Sequence, residues 1–235
     1  MQVHGSVPVL SIIIPVYNEQ ETLLILLQRV AAVQLDKEIL VINDGSTDAT
    51  REILEAFESK PGFTVINHEH NYGKGHAIRT ALAMARGDFV VIQDADLEYD
   101  PQDLVKMVRL LSARSTQVVY GSRRLNADNK KHSGLCYFLG GVLVTYVSRW
   151  LYGLKITDEA TCYKMFDTNL LKSLHLSCER FEFCPEVTAK LAKRKIHIAE
   201  VPISYFPRSK KEGKKIGWRD AVEAVWTLFK FKVRN

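Results

Sequence analysis

The strongest constraint on the fold is a repeated pattern. Short runs of consecutive apolar residues, rich in Ile, Val and Leu, stop abruptly at polar clusters. The run at 9–16 ends in Tyr17-Asn18-Glu19, and the run at 38–43 ends in Asp44-Gly45-Ser46-Thr47-Asp48. The run at 89–93 ends in Asp94-Ala95-Asp96-Leu97-Glu98-Tyr99-Asp100, and shorter runs lie at 63–67 and 118–120. A strand with one wet face alternates apolar and polar side chains, whereas an uninterrupted apolar run suits a strand covered on both faces. Helical stretches separate the runs, at 22–33, 49–58, 76–86 and 101–112. This alternation predicts an α/β fold, a single domain with a mostly parallel central sheet and helices on both faces. Ligands of such sheets bind at the carboxyl ends of the strands, where all three polar clusters fall.

Local signals refine the pattern. Asn18 and Glu21 have the spacing of a capping box for the helix at 22–33, and Asp100-Pro101 reads as a helix start. The second half is less regular. Helices are expected at 135–152, from 181–186 to about 193, and at 218–233. A strand is expected at 196–205, with Pro202 placing it at an edge, followed by a basic loop at 206–215.

The chain's 235 residues, 46% hydrophobic and 25% charged, are ordinary for a soluble globular domain. The net charge of +5 is unevenly placed: residues 190–235 hold 13 Lys and Arg against 4 Asp and Glu. That asymmetry calls for an anionic partner of the C-terminal part, whether nucleic acid, phosphate or a membrane surface. Cys136, Cys162, Cys178 and Cys184 form no CxxC pair and read as free thiols of a reducing compartment. The first eight residues show no basic-then-apolar leader. The stretch at 135–154 approaches the length of a membrane span, but Arg149 interrupts it and Gly140, Gly141, Thr145 and Ser148 dilute it. It reads as a buried or interfacial helix.

The acidic cluster Asp94-x-Asp96-x-Glu98 sits at a strand end and offers hard oxygen ligands. These suit Mg²⁺ or Mn²⁺, and Mg²⁺ is commonly held by one or two carboxylates plus substrate phosphates. A plain acidic turn capping the next helix is the competing reading. The position of the cluster beside two other strand-end clusters favours a ligand crevice.

Taken in order, Pro15-Val16-Tyr17-Asn18-Glu19, Asn43-Asp44-Gly45-Ser46, Asp94-Ala95-Asp96 and Tyr120-Gly121-Ser122-Arg123 resemble the signature of family 2 glycosyltransferases with a GT-A fold. The Asp96-to-Pro101 continuation, the 157–163 segment and the basic stretch Tyr205-Phe206-Pro207-Arg208-Ser209-Lys210-Lys211-Glu212-Gly213-Lys214-Lys215-Ile216 resemble the polyprenyl-phosphate glycosyltransferases, of which the dolichyl-phosphate mannose synthases are the best known. The resemblance runs from about residue 11 to 226. It implies an enzyme that transfers a hexose, with inversion, from GDP-mannose, UDP-glucose or UDP-N-acetylglucosamine to a dolichyl or undecaprenyl phosphate. The cofactor would be Mg²⁺ or Mn²⁺. Such an enzyme would sit peripherally on the cytoplasmic face of a membrane. The catalytic domain would span 1–217, with a nucleotide-binding half at about 8–120 and an acceptor half at about 121–217. Residues 218–235 would form an amphipathic helix packed on the domain or on the membrane.

Carried over residue by residue, the resemblance places Pro15, Tyr17, Glu19, Asp44 and Asp94 around the nucleotide sugar. Arg208, Lys214 and Lys215 would grip the donor diphosphate. Asp96 and Glu98 would hold the metal, with Glu98 standing where some relatives carry Gln. Arg123 would face the acceptor phosphate, with Lys131 and Ser133 nearby; Asp96, Arg123 and Arg208 would form the catalytic set. Asn43 replaces the first Asp of the usual Asp-Asp-Gly-Ser, and Asn129-Lys130-Lys131-His132-Ser133 stands where relatives supply a second acceptor-binding arginine.

Other features carry two readings. Lys74 in Gly73-Lys74-Gly75 is a helix-start turn or a nucleotide contact, and the full phosphate-loop motif is absent. Asp158 and Glu159 touch the substrates or cap a helix. Glu182 and Glu186 suit a helix start. His68, His70 and His76 read as loop histidines. In the last helix Trp218, Val222, Val225 and Phe229 fall on one face, core-facing by default, with Lys230, Lys232 and Arg234 at the end; a basic aromatic helix of this kind also suits an anionic bilayer. A family 2 transferase acting on a glycan or protein is the alternative function. A nucleic-acid-binding protein is the remote one, unsupported by any zinc finger, helix-turn-helix or RNA-binding motif. No Gly-x-Gly-x-x-Gly follows the first strand, which disfavours a dinucleotide-dependent dehydrogenase.

Overall fold

The computed structural model describes residues 9–113, 115–129, 134–208 and 217–233, with only the backbone of Leu135, Cys136 and Trp218. The first half alternates strictly: β1 (Leu10–Val16), α1 (Leu23–Ala32), β2 (Lys37–Asn43), α2 (Thr50–Glu58), β3 (Phe63–Asn67), α3 (Lys74–Met84), β4 (Phe89–Ile92), α4 (Asp103–Ser112) and β5 (Val118–Ser122). Then follow α5 (Leu135–Tyr152), β6 (Lys164–Asp167), α6 (Thr168–Ser173), α7 (Phe183–Lys193), β7 (Ala199–Pro202) and α8 (Trp218–Val233).

Seven strands form one sheet in the order β3-β2-β1-β4-β6-β5-β7. The apolar runs become the buried centre. Ile12, Ile13 and Ile14 of β1 are wholly buried, and β1 pairs in parallel with β2 and β4, Ile13 lying opposite both Leu40 and Ile92. The strand ends at Val16, Asn43 and Ile92 therefore emerge along one edge of the sheet, and the polar clusters follow them there.

The second half departs from expectation where the apolar pattern fails. Strand β6 has no counterpart among the expected elements and runs antiparallel to both β4 and β5. It spans four residues, begins with Lys164 and ends with Asp167, so it carries no apolar run. Lys164 is fully buried; its ammonium donates to the Thr161 carbonyl at 2.6 Å and to the Glu159 carbonyl, above the Tyr120 ring. Those bonds satisfy a charge that would otherwise be costly to bury. The expected strand at 196–205 is shorter, β7, and lies at the sheet edge with Pro202 at its end.

The Asn18–Glu21 capping box does not form. Thr22 is the residue preceding α1 and makes no side-chain cap. Asn18 adopts φ +50° and its carboxamide oxygen instead accepts the Thr47 N–H at 2.7 Å, tying the first polar cluster to the second. Asp100 does begin the next turn, accepting the Gln102 N–H at 3.0 Å before α4 starts at Asp103.

Helices α5 and α8 pack together beside α7. The expected core-facing stripe of α8 is only partly right. Leu228 is fully buried, but Val222 and Trp226 are 58% and 67% exposed and Phe229 is also exposed. The buried stripe lies one position away from the expected one because α8 rests on two helices through Leu228 and Ala224, not on the sheet. Among the described residues no helix is long and apolar enough to cross a membrane. Cys162, Cys178 and Cys184 are free thiols, as expected.

Gly73, just before α3, has φ +100°, and a Cβ there would lie 2.4 Å from the Glu179 carbonyl oxygen. Gly73→Ala is expected to lower stability by about 1–3 kcal/mol, read from the urea midpoint at unchanged slope.

Candidate active site

Three strand ends build a crevice. Pro15 at the end of β1, Tyr17 and Glu19 after it, Asp44 after β2, and Asp94, Asp96 and Glu98 after β4 line one cavity of about 410 Å³, together with Arg208. Every sequence-expected nucleotide-side residue within the described residues thus meets in one place. Lys214, Lys215, Lys131 and Ser133 lie outside the described residues.

Asp44 is almost fully buried. Its carboxylate accepts the Tyr72 N–H at 3.1 Å, the Gly73 N–H at 2.7 Å and a contact from His68 Nδ1 at 2.7 Å. Asp44 therefore shapes the 71–73 loop that forms one wall of the cavity. Lys74, the first residue of α3, reaches across the floor to Asp94 Oδ1 at 2.5 Å. Burial alone would raise the Asp94 carboxyl, but the Lys74 ammonium outweighs it and holds that carboxyl below its usual range. Lys74 starts the helix, and its side chain lines the cavity.

The acidic turn is strained and crowded. Leu97 sits at φ +60°, a region that costs a branched residue of order 1 kcal/mol. This turn aims Asp96 and Glu98 to the same side. Burial first, and then the carboxylates of Asp94 and Glu98, push the Asp96 carboxyl up to about 7 against the pull of Arg208. The Arg208 guanidinium bridges Glu19 Oε2 at 3.1 Å and Asp96 Oδ2 at 3.2 Å.

Among the described residues, no group of three Asp, Glu, His or Cys side chains forms a ready-made metal cage. The donor set nonetheless fits a hard cation that takes two carboxylates from the protein and the rest of its ligands from water and phosphate. Excess negative charge around Asp96 is what such a cation relieves.

A second cavity, of about 650 Å³, opens on the other side of the same acids. Arg123, from the end of β5, lines it beside Tyr99 and Tyr205. Asp158 is fully buried and holds Arg123 in a fork, 2.7 Å to Nε and 2.7 Å to Nη2, while also accepting the Arg123 backbone N–H. Burial opposes the Asp158 charge, yet Arg123 keeps its carboxyl low. Glu200 in turn accepts the backbone N–H groups of Thr157 and Asp158. The far wall comes from α5 and α8, where Gly140, Gly141, Ala221 and Ala224 stand with the larger Tyr137, Val144 and Asp220.

Glu159 is buried, accepts the Thr188 hydroxyl at 3.0 Å and lines the second cavity. Glu182 binds the Glu179 and Arg180 N–H groups at the α7 start, and buried Glu186 binds Ser177 and Lys190. Arg180, Phe181 and Asp220 are lining residues that escape sequence reasoning. These three come from the irregular half, where no periodic signal marks a ligand-facing position; Asn71, in the loop before α3, is missed as well.

Comparison with known proteins agrees with the geometry. Residues 11–174 match the family model described as glycosyl transferase family 2. The chain belongs to that family. A family relative, the UDP-N-acetylglucosamine–dolichyl-phosphate N-acetylglucosaminyltransferase of Methanococcus voltae, is 30% identical over 210 residues, 82% of this chain and 83% of that protein. The dodecaprenyl-phosphate galacturonate synthase of Rhizobium johnstonii is 26% identical across 85% of this chain, which spans only 59% of that protein's length. Glucosyl-3-phosphoglycerate synthase from Mycobacterium tuberculosis, solved with Mn²⁺, UDP-glucose and phosphoglyceric acid, superposes with a TM-score of 0.70 at 21% identity, covering 96% of this chain and 80% of that one. The fold is GT-A.

The Asp96 carboxyl has a folded pKa near 7 against about 4 in an unfolded chain, so folding disfavours its ionised form. That penalty is absent below pH 4, grows between about pH 4 and 7, and is complete above, with an upper limit of ~4 kcal/mol. Asp96→Asn in chelator is therefore expected to melt above the wild type at pH 8, with the gain shrinking at pH 5.5 in thermal unfolding.

Proposed function

We propose that this glycosyltransferase moves a hexose from a nucleotide diphosphate sugar to a polyprenyl phosphate, with inversion at the anomeric carbon. The carrying observation is that the two cavities meet at Lys74, Asp94, Asp96 and Glu98. One is walled by strand-end polar groups, and the other combines an arginine with an apolar, small-residue wall. That pairing suits a charged donor meeting an acceptor with an anionic head and an apolar tail. The Methanococcus and Rhizobium relatives, named for dolichyl and dodecaprenyl phosphate, support the same acceptor class.

In this reading Glu19, Asp44 and Asp94 position the nucleoside side, and Arg208 takes the diphosphate. Arg123, fixed by Asp158, holds the acceptor phosphate. A phosphate oxygen is already anionic near neutral pH and needs no general base. It attacks the anomeric carbon as the bond to the diphosphate breaks, and the work of the protein is alignment of two anions and stabilisation of the departing one. Asp96 and Glu98 hold a divalent cation, Mg²⁺ or Mn²⁺, which when bound supplies Lewis-acid stabilisation of the leaving group. The Mn²⁺ in the complex of the mycobacterial neighbour supports a divalent ion.

The membrane side of the reading rests on two exposed stripes. Leu139, Leu143, Tyr146 and Trp150 on α5 recur at helical spacing, as do Val222, Trp226, Phe229 and Val233 on α8. The Trp150 and Phe229 rings lie 6.4 Å apart, so the stripes adjoin, and Lys230 and Lys232 flank them. This is the makeup of a surface that rests on an anionic leaflet. We place it at the cytoplasmic face.

The test is a transfer assay with Mn²⁺, a short polyprenyl phosphate and each of GDP-mannose, UDP-glucose and UDP-N-acetylglucosamine. One donor is expected to yield a lipid-linked sugar, and excess chelator to abolish it. Arg123→Ala is expected to lower kcat/KM for the lipid by about 100-fold, or ~2.7 kcal/mol, with donor affinity unchanged. No lipid product with any donor would overturn the acceptor assignment. Trp150→Ser with Trp226→Ser is expected to cut cosedimentation with anionic vesicles; unchanged partitioning would remove these helices from the membrane.

A further inference from the structure

We propose that the 205–208 segment masks the cation site and that Arg208 gives way to the cation when a diphosphate arrives. The inference rests on the reading of Asp96 and Glu98 as the ligands. Both are occupied by this one segment. Asp96 Oδ2 faces Arg208 Nη2 at 3.2 Å, and its Oδ1 accepts the Glu98 N–H at 3.1 Å. Glu98 Oε1 accepts the Arg208 backbone N–H at 2.8 Å, and Glu98 Oε2 accepts the Tyr205 hydroxyl at 3.1 Å. The Phe206 N–H donates to the Glu98 carbonyl at 2.8 Å, and Tyr99 bridges to Tyr205. Glu19 holds the outer edge of the guanidinium at 3.1 Å.

A guanidinium on Asp96 and a dication on Asp96 repel each other at close range. While Arg208 stays, a free cation meets carboxylates already engaged and a positive charge in its path. A diphosphate changes the balance. It offers Arg208 a bidentate anionic partner and offers the cation phosphate oxygens. Arg208 then leaves Asp96, and the site opens only when the donor is present. Cation and donor therefore bind with positive coupling, and each raises the affinity of the other by the same factor.

The experiment is titration of the full chain with Mn²⁺, free ion being read by electron paramagnetic resonance, with and without saturating UDP or GDP. Circular dichroism confirms that each variant is folded. Without nucleotide, Arg208→Ala is expected to bind Mn²⁺ about tenfold more tightly than the wild type, while its affinity for UDP or GDP falls about tenfold. Tyr205→Phe changes no charge and is expected to tighten Mn²⁺ about threefold; if Arg208→Ala does not fold, this variant decides. Unchanged or weaker Mn²⁺ binding in the deciding variant overturns the masking. If Asp96→Asn at the same time abolishes Mn²⁺ binding, the metal assignment survives that failure. Mn²⁺ binding that persists in Asp96→Asn, with or without nucleotide, overturns the assignment and the masking together.

Discussion

Everything at the strand ends depends on how six carboxylates are kept within one crevice. Glu19, Asp44, Asp94, Asp96, Glu98 and Asp220 all line the same cavity, where Lys74 pairs with Asp94 and Arg208 with Glu19 and Asp96. Lys74 is committed to Asp94 at the floor, and the partial burial of that pair makes it costly to break, since a lone charge would be left. Arg208 is committed to Asp96 and Glu19 near the mouth. The two cations are not equivalent. Lys74 belongs to the start of a helix packed on β1 and β2, whereas Arg208 lies in the loop after β7 and engages Glu19, Asp96 and Glu98. The proposed exchange of Arg208 therefore leaves the Lys74–Asp94 pair at the floor in place.

The parallel half of the fold was legible because burial on both faces leaves a mark in composition. A strand such as β1 has no wet side, so its residues cannot alternate, and the polar residue that ends the run marks the crevice. The antiparallel insertion was not legible for the same reason in reverse. Strand β6 is buried too, but Lys164 satisfies its charge on carbonyls of the preceding loop, and no local pattern announces that. The capping box failed because Asn18 had a better partner twenty-nine residues away, in Thr47. Tertiary hydrogen bonds of this kind override local spacing rules.

The site divides along the same line. Pro15, Tyr17, Glu19, Asp44, Asp94, Asp96 and Glu98 follow apolar runs directly, so their convergence could be read from strand order alone. His68 and Asp158 act one contact further out. His68 supports Asp44, and Asp158 supports Arg123, through contacts that span 24 and 35 residues. Sequence marks Asp158 only as an acid in the less regular half of the chain. Its burial, and the fork it makes with Arg123, turn it into the residue that decides where the arginine points. The Arg180-Phe181 pair is ahead of α7 and reaches the cavity through a turn with no periodicity to read.

The relation between the second cavity and the exposed stripes makes the two halves one device. Gly140, Gly141, Ala221 and Ala224 line the cavity from α5 and α8 beside Tyr137 and Val144, and the same two helices carry Leu139, Leu143, Tyr146, Trp150 and Trp226 on the outside. Small residues inward leave volume between the helices; Trp150, Tyr146 and Trp226 outward leave apolar area uncovered. A helix pair that only closed a core would do the opposite, burying its aromatics and filling the space. Alanines and glycines facing a cavity that also holds Arg123 suit an apolar chain attached to a phosphate. The aromatics facing out suit the phase from which such a chain comes. Under the proposed function a lipid phosphate would not have to leave the bilayer fully: its head would reach Arg123 while its tail stayed beside α5 and α8, next to the apolar surface outside.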